Sequence, residues 1–211
     1  VTRANEHWSI RDAKTLKEEQ VDQLLRVAVK HSLKAHVLLS VCYNGAFRAC
    51  ELTHLKAGDF DFSVKKVSVI PAKKARRNGR DLPAPVDYPM PDNVLALVGR
   101  WIRLNELSPE DWLFAGRVRV CKVVKYNCPK GHLSVKEAQR LFDEVAGLAK
   151  LKVAQRGIHT LKHARLSELA RKTRDPWFVK EAGRHESISM SDTYVKVTDF
   201  AERIRKIGAI V

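Results

Sequence analysis

Apolar positions recur at helical spacing along most of this chain. Leu16, Val21, Leu24, Leu25 and Val27 form one stripe, and Thr15 with Glu18 supplies the pattern of a capping box in front of it. The spacing predicts one helix there and a second over 33–43, apolar almost throughout and hence a core element. Asn44-Gly45 is a turn signal that stops it. A third short helix is expected to carry Arg48, Glu51, Leu52 and Leu55 and to end before Gly58-Asp59.

Between residues 60 and 83 the pattern changes. Val67, Val69 and Ile70 are β-branched and strand-like, and Lys73-Lys74-Ala75-Arg76-Arg77-Asn78-Gly79-Arg80 follows as a cationic tip with an Asn-Gly turn. This predicts a small antiparallel sheet with a basic hairpin. Helical periodicity returns over 93–105, and Trp112-Leu113-Phe114 is a short buried segment. The stretch 117–132 is basic and irregular, a loop or insertion. Ser134 and Glu137 form another capping box ahead of Val135, Ala138, Leu141, Phe142, Val145 and Leu148. Further helices are expected over 159–172, around Trp177-Phe178-Val179, around Tyr194 and over 200–207. The fold class is mostly α with a small antiparallel β-sheet, an α+β domain over 15–211 behind an arm or linker at 1–14.

Charge narrows the partner. The 211 residues hold 39 Lys and Arg against 24 Asp and Glu, a formal net charge of +15. Such a field captures polyanions, with nucleic acid foremost; a merely basic surface and an anionic membrane are the competing readings. No apolar run has bilayer length and the first residues have no signal-peptide core, so a cytoplasmic, DNA-associated location is expected. Cys42 and Cys50 fall in apolar helical sequence as buried free thiols, which suits a reducing compartment.

Three segments carry candidate chemistry. In Gly45-Ala46-Phe47-Arg48-Ala49-Cys50-Glu51-Leu52, Arg48 and Glu51 stand three apart, so a carboxylate can aim a guanidinium fork at a phosphate. By itself this is equally an ordinary surface ion pair. In His159-Thr160-Leu161-Lys162-His163, one helix face would present three nitrogenous groups while Leu161, Leu166 and Leu169 pack inward. A His pair at this spacing could bind metal, but no carboxylate or cysteine nearby completes such a site. In Ala182-Gly183-Arg184-His185-Glu186-Ser187-Ile188-Ser189, a turn leads into a helix with Tyr194, nine residues after His185.

In order and spacing these segments resemble the tyrosine recombinase, or phage-integrase, family. The first is similar to its box I, Gly-x-x-Arg-x-x-Glu-Leu; the second to the His-x-x-Arg of box II; the third to the Leu-Gly-His…Tyr ending. The likeness spans roughly residues 16–206. It implies the tyrosine recombinase catalytic-domain fold and a site-specific recombinase of a mobile element. Such an enzyme cleaves and rejoins DNA through a 3′-phosphotyrosyl link, without metal or cofactor. By position it implies Arg48, Lys73, His159, Lys162 and His185 as catalytic groups and Tyr194 as nucleophile. Lys74 is the alternative to Lys73, and Glu51 orients Arg48. It also implies double-stranded DNA as partner, four protomers on two duplexes, and an N-terminal helical domain expected to be missing from this chain. The tail after Tyr194 would pack on a neighbouring protomer or on its own domain. Alternatives are a catalytically impaired DNA-binding relative and a type IB topoisomerase.

Two departures stand out. Lys162 occupies the usual arginine position, keeping charge but losing the planar fork. The segment before His185 reads Ala-Gly-Arg-His and not Leu-Gly-His, which places an additional cation, Arg184, beside the site, able to replace part of the missing guanidinium. Backbone contacts to DNA are expected from Lys74, Arg76, Arg77 and Arg80 on the hairpin, and from Arg117, Arg119, Lys122 and Lys125 in the loop. Cys121, Cys128 and His132 invite a zinc reading, yet their spacing lacks a local fourth ligand, and a phosphate-contacting loop is preferred. Trp8, Trp101, Trp112 and Trp177 read as core or edge anchors.

Overall fold

The computed structural model describes residues 15–71, 84–116, 131–153 and 157–196. The basic hairpin, the 117–130 loop with Cys121 and Cys128, the N-terminal arm with Trp8 and the tail after Lys196 lie outside the described residues. So do Lys73, Lys74, Arg76, Arg77, Arg80, Arg117, Arg119, Lys122 and Lys125.

Helix α1 (Glu18–His31) starts two residues later than its capping pattern suggests. Leu16 is buried ahead of the helix, and the cap falls at Lys17, whose N–H donates to Gln20 Oε1 at 2.9 Å. Helix α2 (Leu33–Asn44) is capped by Ser32, whose hydroxyl accepts from Ala35 N–H at 3.1 Å. It is buried along most of its length because α1, the short α3 (Ala49–Thr53) and three later helices, α4 (Asp92–Leu104), α5 (Val135–Leu148) and α6 (His159–Thr173), all pack against it. An apolar sequence with little amphipathicity is what such a central position requires.

A three-stranded antiparallel sheet follows: β1 (Phe60–Asp61), β2 (Lys66–Val69) and β3 (Val86–Pro89), in that spatial order. Val67 pairs with both Phe60 and Tyr88, so its buried side chain fixes the register of both ladders. Helix α4 (Asp92–Leu104) buries Val94, Leu95 and Val98, and Leu113 and Phe114 are fully inside as expected. Helix α5 (Val135–Leu148) opens with the predicted box: Glu137 N–H donates to Ser134 Oγ at 3.2 Å, and Ser134 N–H to Glu137 Oε2 at 3.1 Å. Ala138, Phe142 and Val145 form its buried face, whereas Val135 and Leu148 at its ends are exposed.

Helix α6 (His159–Thr173) ends in a left-handed Arg174, and α7 (Pro176–Gly183) begins at once, with Asp175 accepting from Trp177 N–H at 2.8 Å and Pro176 at its first position. A last helix, α8, covers residues 188–196. Two apolar clusters result. The larger joins α1 to α5, the sheet and the start of α6; the smaller gathers Ala46, Leu166, Leu169, Ala170, Val179, Ala182 and Val195, with Tyr88 and Tyr194 against it. This second cluster ties α8 to α6 and α7 and so places Tyr194. Trp177 is no anchor: at 61% exposure it lies on the outer face of α7 beside the exposed Phe178, because Val179 and Ala182 supply the inward face.

Candidate active site

The site begins at the end of α2. A Cβ on Gly45 would fall 2.1 Å from the Phe47 ring, so only glycine lets the chain turn this tightly. Arg48 is not inside a helix, as its spacing with Glu51 suggested. It is the extended residue that precedes α3, with φ −73° and ψ 151°. Glu51 folds back from the first turn and accepts twice from Arg48, from its N–H at 2.8 Å and from Nη1 at 2.7 Å. The carboxylate is fully buried while the Arg48 side chain keeps 15% exposure, so this pair aims a guanidinium outward from a fixed base.

Arg184 closes the other side. It is the left-handed residue after α7, φ 52° and ψ 46°, a conformation glycine adopts more readily. The side chain offsets this strain by burying its guanidinium among acceptors. Nη2 donates to Ala46 O at 2.6 Å and to Glu51 Oε2 at 3.2 Å; Nη1 donates to Gly45 O at 3.0 Å. Its carbon lies 4.9 Å from the Phe47 ring centre and 5.4 Å from that of Tyr88. Tyr88 therefore links the sheet to the site, a role that its place in an ordinary strand pattern did not signal. Burial would raise the Glu51 carboxyl, yet the charges of Arg184 and Lys162 and the Arg48 N–H hold it below its usual range.

Lys162 is buried, not displayed on a helix face. Nζ donates to Ala46 O at 3.0 Å and to Gly183 O at 2.8 Å. Burial first, and the neighbouring Arg184 and Arg48 charges next, bring its pKa down to about 7. Its presence among those two carbonyls, contributed by segments distant in sequence, explains why periodicity alone placed it wrongly.

His185 and Tyr194 come together at the junction of α7 and α8. A Cβ on Gly183 would meet the His185 ring at 2.7 Å, so the imidazole lies directly on the glycine backbone. His185 Nδ1 is hydrogen-bonded to Ser191 Oγ at 2.8 Å, and its ring stacks on that of Tyr194 with centroids 6.0 Å apart. Burial, then the charges of Lys162, Arg48 and Arg184, push its pKa down to about 4, so the ring is neutral at physiological pH. The Tyr194 hydroxyl lies 2.6 Å from His163 Nδ1. His159, three residues before Lys162, is exposed at the start of α6. Arg48, Tyr88, Arg184 and His185 all line a groove of about 790 Å³ that runs between β3 and α7.

The sequence-assigned Arg48, Glu51, Lys162, Arg184, His185 and Tyr194 thus form one cluster. Lys73 lies outside the described residues. His163, which the sequence reading placed on one face with His159 and Lys162 but gave no catalytic role, and Ser191, which it passed over, are hydrogen-bond partners of Tyr194 and His185. His132, from the zinc reading, packs against His54 with ring centroids 4.0 Å apart and planes tilted by 36°, and pairs through Nδ1 with Leu133 O at 2.9 Å. Among the described residues no three His, Cys, Asp or Glu side chains gather as a metal site would require.

A helical domain with this sheet, and with guanidinium, imidazole and phenol supplied in this order, has the fold of a tyrosine recombinase catalytic domain. Residues 14–200 match the model of the phage integrase family, and the chain belongs to that family. It is 25% identical over 185 residues to tyrosine recombinase XerA of Pyrococcus furiosus, covering 88% of this chain and 58% of the relative. Among solved structures it resembles XerH recombinase in a post-cleavage complex with palindromic difH, with TM-score 0.73, 19% identity, and 93% and 53% of the two chains covered. It also resembles the catalytic domain of bacteriophage HP1 integrase, with TM-score 0.58, 14% identity and 87% of each chain covered. The chain therefore spans between half and two thirds of the XerA and XerH proteins it matches.

Proposed function

We propose that this domain cleaves and rejoins duplex DNA at specific sites, with Tyr194 as the nucleophile. The observation that carries the reading is the meeting of the Tyr194 phenol with His185 at the end of a groove bearing Arg48, on a chain of the phage integrase family. The phenol oxygen attacks a backbone phosphate, the 5′-oxygen leaves, and a 3′-phosphotyrosyl link stores the bond for rejoining. Arg48 supplies a fixed, partly exposed guanidinium for the non-bridging oxygens, where charge builds in the transition state. His185, neutral and held by Ser191, donates a hydrogen bond there without adding charge. Lys73 protonates the leaving 5′-oxygen and His159 assists at the phosphate; both roles follow from motif position. The net charge of +15 provides the long-range attraction for DNA, with Lys74, Arg76, Arg77, Arg80, Arg117, Arg119, Lys122 and Lys125 as backbone contacts. Recombination between two duplexes calls for four protomers, each making one cut.

One observation favours a second reading. Lys162 directs its Nζ at two backbone carbonyls, as a structural residue would, which suits a DNA-binding relative with impaired catalysis. A nicked suicide duplex separates the two. An adduct formed by the wild type and lost in Tyr194→Phe supports the recombinase; DNA binding with no adduct in either supports the impaired relative.

A further inference from the structure

The phenol of Tyr194 is placed against an imidazole that the motif reading leaves without a task. We infer that His163 is a catalytic residue: it takes the Tyr194 proton as the phenol attacks and returns it when the strand is rejoined. The inference rests on Tyr194 being the nucleophile.

The geometry is direct. His163 Nδ1 and the Tyr194 hydroxyl are 2.6 Å apart, a proton-transfer distance, and the two rings stack with centroids 6.0 Å apart and planes 25° from parallel. The second imidazole beside the phenol, His185, stacks on the Tyr194 ring with centroids 6.0 Å apart. Its Nδ1 is engaged by Ser191 Oγ at 2.8 Å, and its burial opposes protonation. His159 is exposed one turn earlier on α6, whereas His163 is half-buried on the turn that faces α8. Two helices fix the pair: α6 is anchored by Leu161 and Leu166, and α8 by Val195. The groups around this proton are Tyr194 on α8, His185 after α7, and the cations Lys162 on α6, Arg48 before α3 and Arg184 after α7; the charges of these three, and of His163, all lower the pKa of His185.

An ordinary phenol ionises near pH ~10, so at neutral pH the attacking oxygen must shed a proton as the new bond forms. In the Nε2–H tautomer of His163 the Tyr194 O–H donates to Nδ1. As the phenolic O–P bond forms and the P–O5′ bond breaks, that proton moves to Nδ1 and the leaving 5′-oxygen takes a separate proton from the general acid. In rejoining, the 5′-hydroxyl attacks and returns its proton to the group that served as general acid, the O–P bond to Tyr194 breaks, and the His163 imidazolium protonates the departing phenolate.

The test uses a substrate with sulfur in place of the scissile 5′-oxygen. A thiolate leaves without an acid, so the rate reports on nucleophile activation alone. Single-turnover adduct formation is measured from pH 6 to 9 for wild type, His163→Ala, His163→Gln and Tyr194→Phe. Proton abstraction of this kind contributes roughly a hundred- to ten-thousand-fold. The expected result is a loss of about a hundredfold or more at pH 7 in both His163 variants, with a residual rate that climbs with pH toward phenol ionisation and is partly restored in His163→Ala by added imidazole. Glutamine can accept the phenol's hydrogen bond but cannot take its proton. A His163→Gln protein within about tenfold of wild type with the same pH profile overturns the inference, and that comparison stands even where His163→Ala fails to fold. An adduct that survives in Tyr194→Phe overturns the nucleophile assignment instead.

Discussion

Lys162 and Arg184 donate to the same oxygen, the carbonyl of Ala46, at 3.0 Å and 2.6 Å. One comes from α6 and the other from the turn after α7, and each departs from the pattern its segment otherwise follows. The geometry joins the two departures. Lys162 gives its ammonium to the Ala46 and Gly183 carbonyls, and the guanidinium that holds both the Ala46 carbonyl and Glu51 arrives from residue 184. We propose that Arg184 takes over positioning work from the arginine that Lys162 replaces, while Arg48 faces the groove.

Exchange of these two residues is therefore expected to be compensatory. Arg184→Gly relieves a left-handed backbone worth about 1–2 kcal/mol but removes the guanidinium, and adduct formation should fall roughly a hundredfold. Adding Lys162→Arg should recover most of that loss, since a forked guanidinium on α6 has the donors to engage the Ala46 carbonyl and Glu51 together. Equal rates for Arg184→Gly and wild type on the suicide duplex would show that Arg184 has no positioning role.

Glu51 is the common anion for Arg48 and Arg184 and lies in the field of Lys162. Glu51→Ala leaves these cations without a carboxylate and should lower unfolding free energy by about 3–5 kcal/mol in urea titrations. Arg48→Ala should cost far less, because Glu51 keeps Arg184. A loss in Arg48→Ala as large as in Glu51→Ala would count against this arrangement.

The His185 environment makes a pH prediction with a definite sign. Its folded pKa of about 4 lies below the ordinary imidazole value of 6.5, so the unfolded chain binds more protons between these limits. Stability from this residue is complete above pH ~6.5 and is lost as the pH falls toward ~4, since charging the buried ring beside Lys162, Arg48 and Arg184 is opposed. Denaturant midpoints at pH 7 and pH 4.5 should differ more in the wild type than in His185→Asn. Equal differences would contradict it.

Gly183→Ala should act on the site more than on the fold. Its Cβ would come within 2.7 Å of the His185 ring, which must swing away from Ser191 and Tyr194. Loss of one such transition-state donor predicts roughly a hundred- to thousand-fold slower cleavage, with circular dichroism unchanged. A wild-type cleavage rate would show that the ring position is unimportant.

The sequence disclosed some of this and concealed the rest for identifiable reasons. The Ser134–Glu137 box and the Phe142–Val145 face were readable because capping and amphipathicity are local. So was the grouping of Arg48, His185 and Tyr194, which the ordered motifs implied. Burial of Lys162 was not readable, because its two acceptors, Ala46 O and Gly183 O, come from the end of α2 and the end of α7. Arg48 looked helical because Glu51 stands three residues on; that spacing also serves a residue just outside a helix whose carboxylate folds back. Trp177 looked like a core or edge anchor by residue type alone, while Val179 and Ala182 took the inner face.

The central claim is that the Tyr194 phenol becomes joined to the 3′ side of a cut strand. The direct measurement is mass spectrometry of the protease-digested protein after reaction with a suicide duplex, combined with kinase labelling of the released strand. The account predicts a nucleotide-bearing peptide modified at Tyr194 and a released strand whose 5′-hydroxyl accepts label without phosphatase treatment. Modification at any other residue, or a released end that already carries a 5′-phosphate, would contradict it.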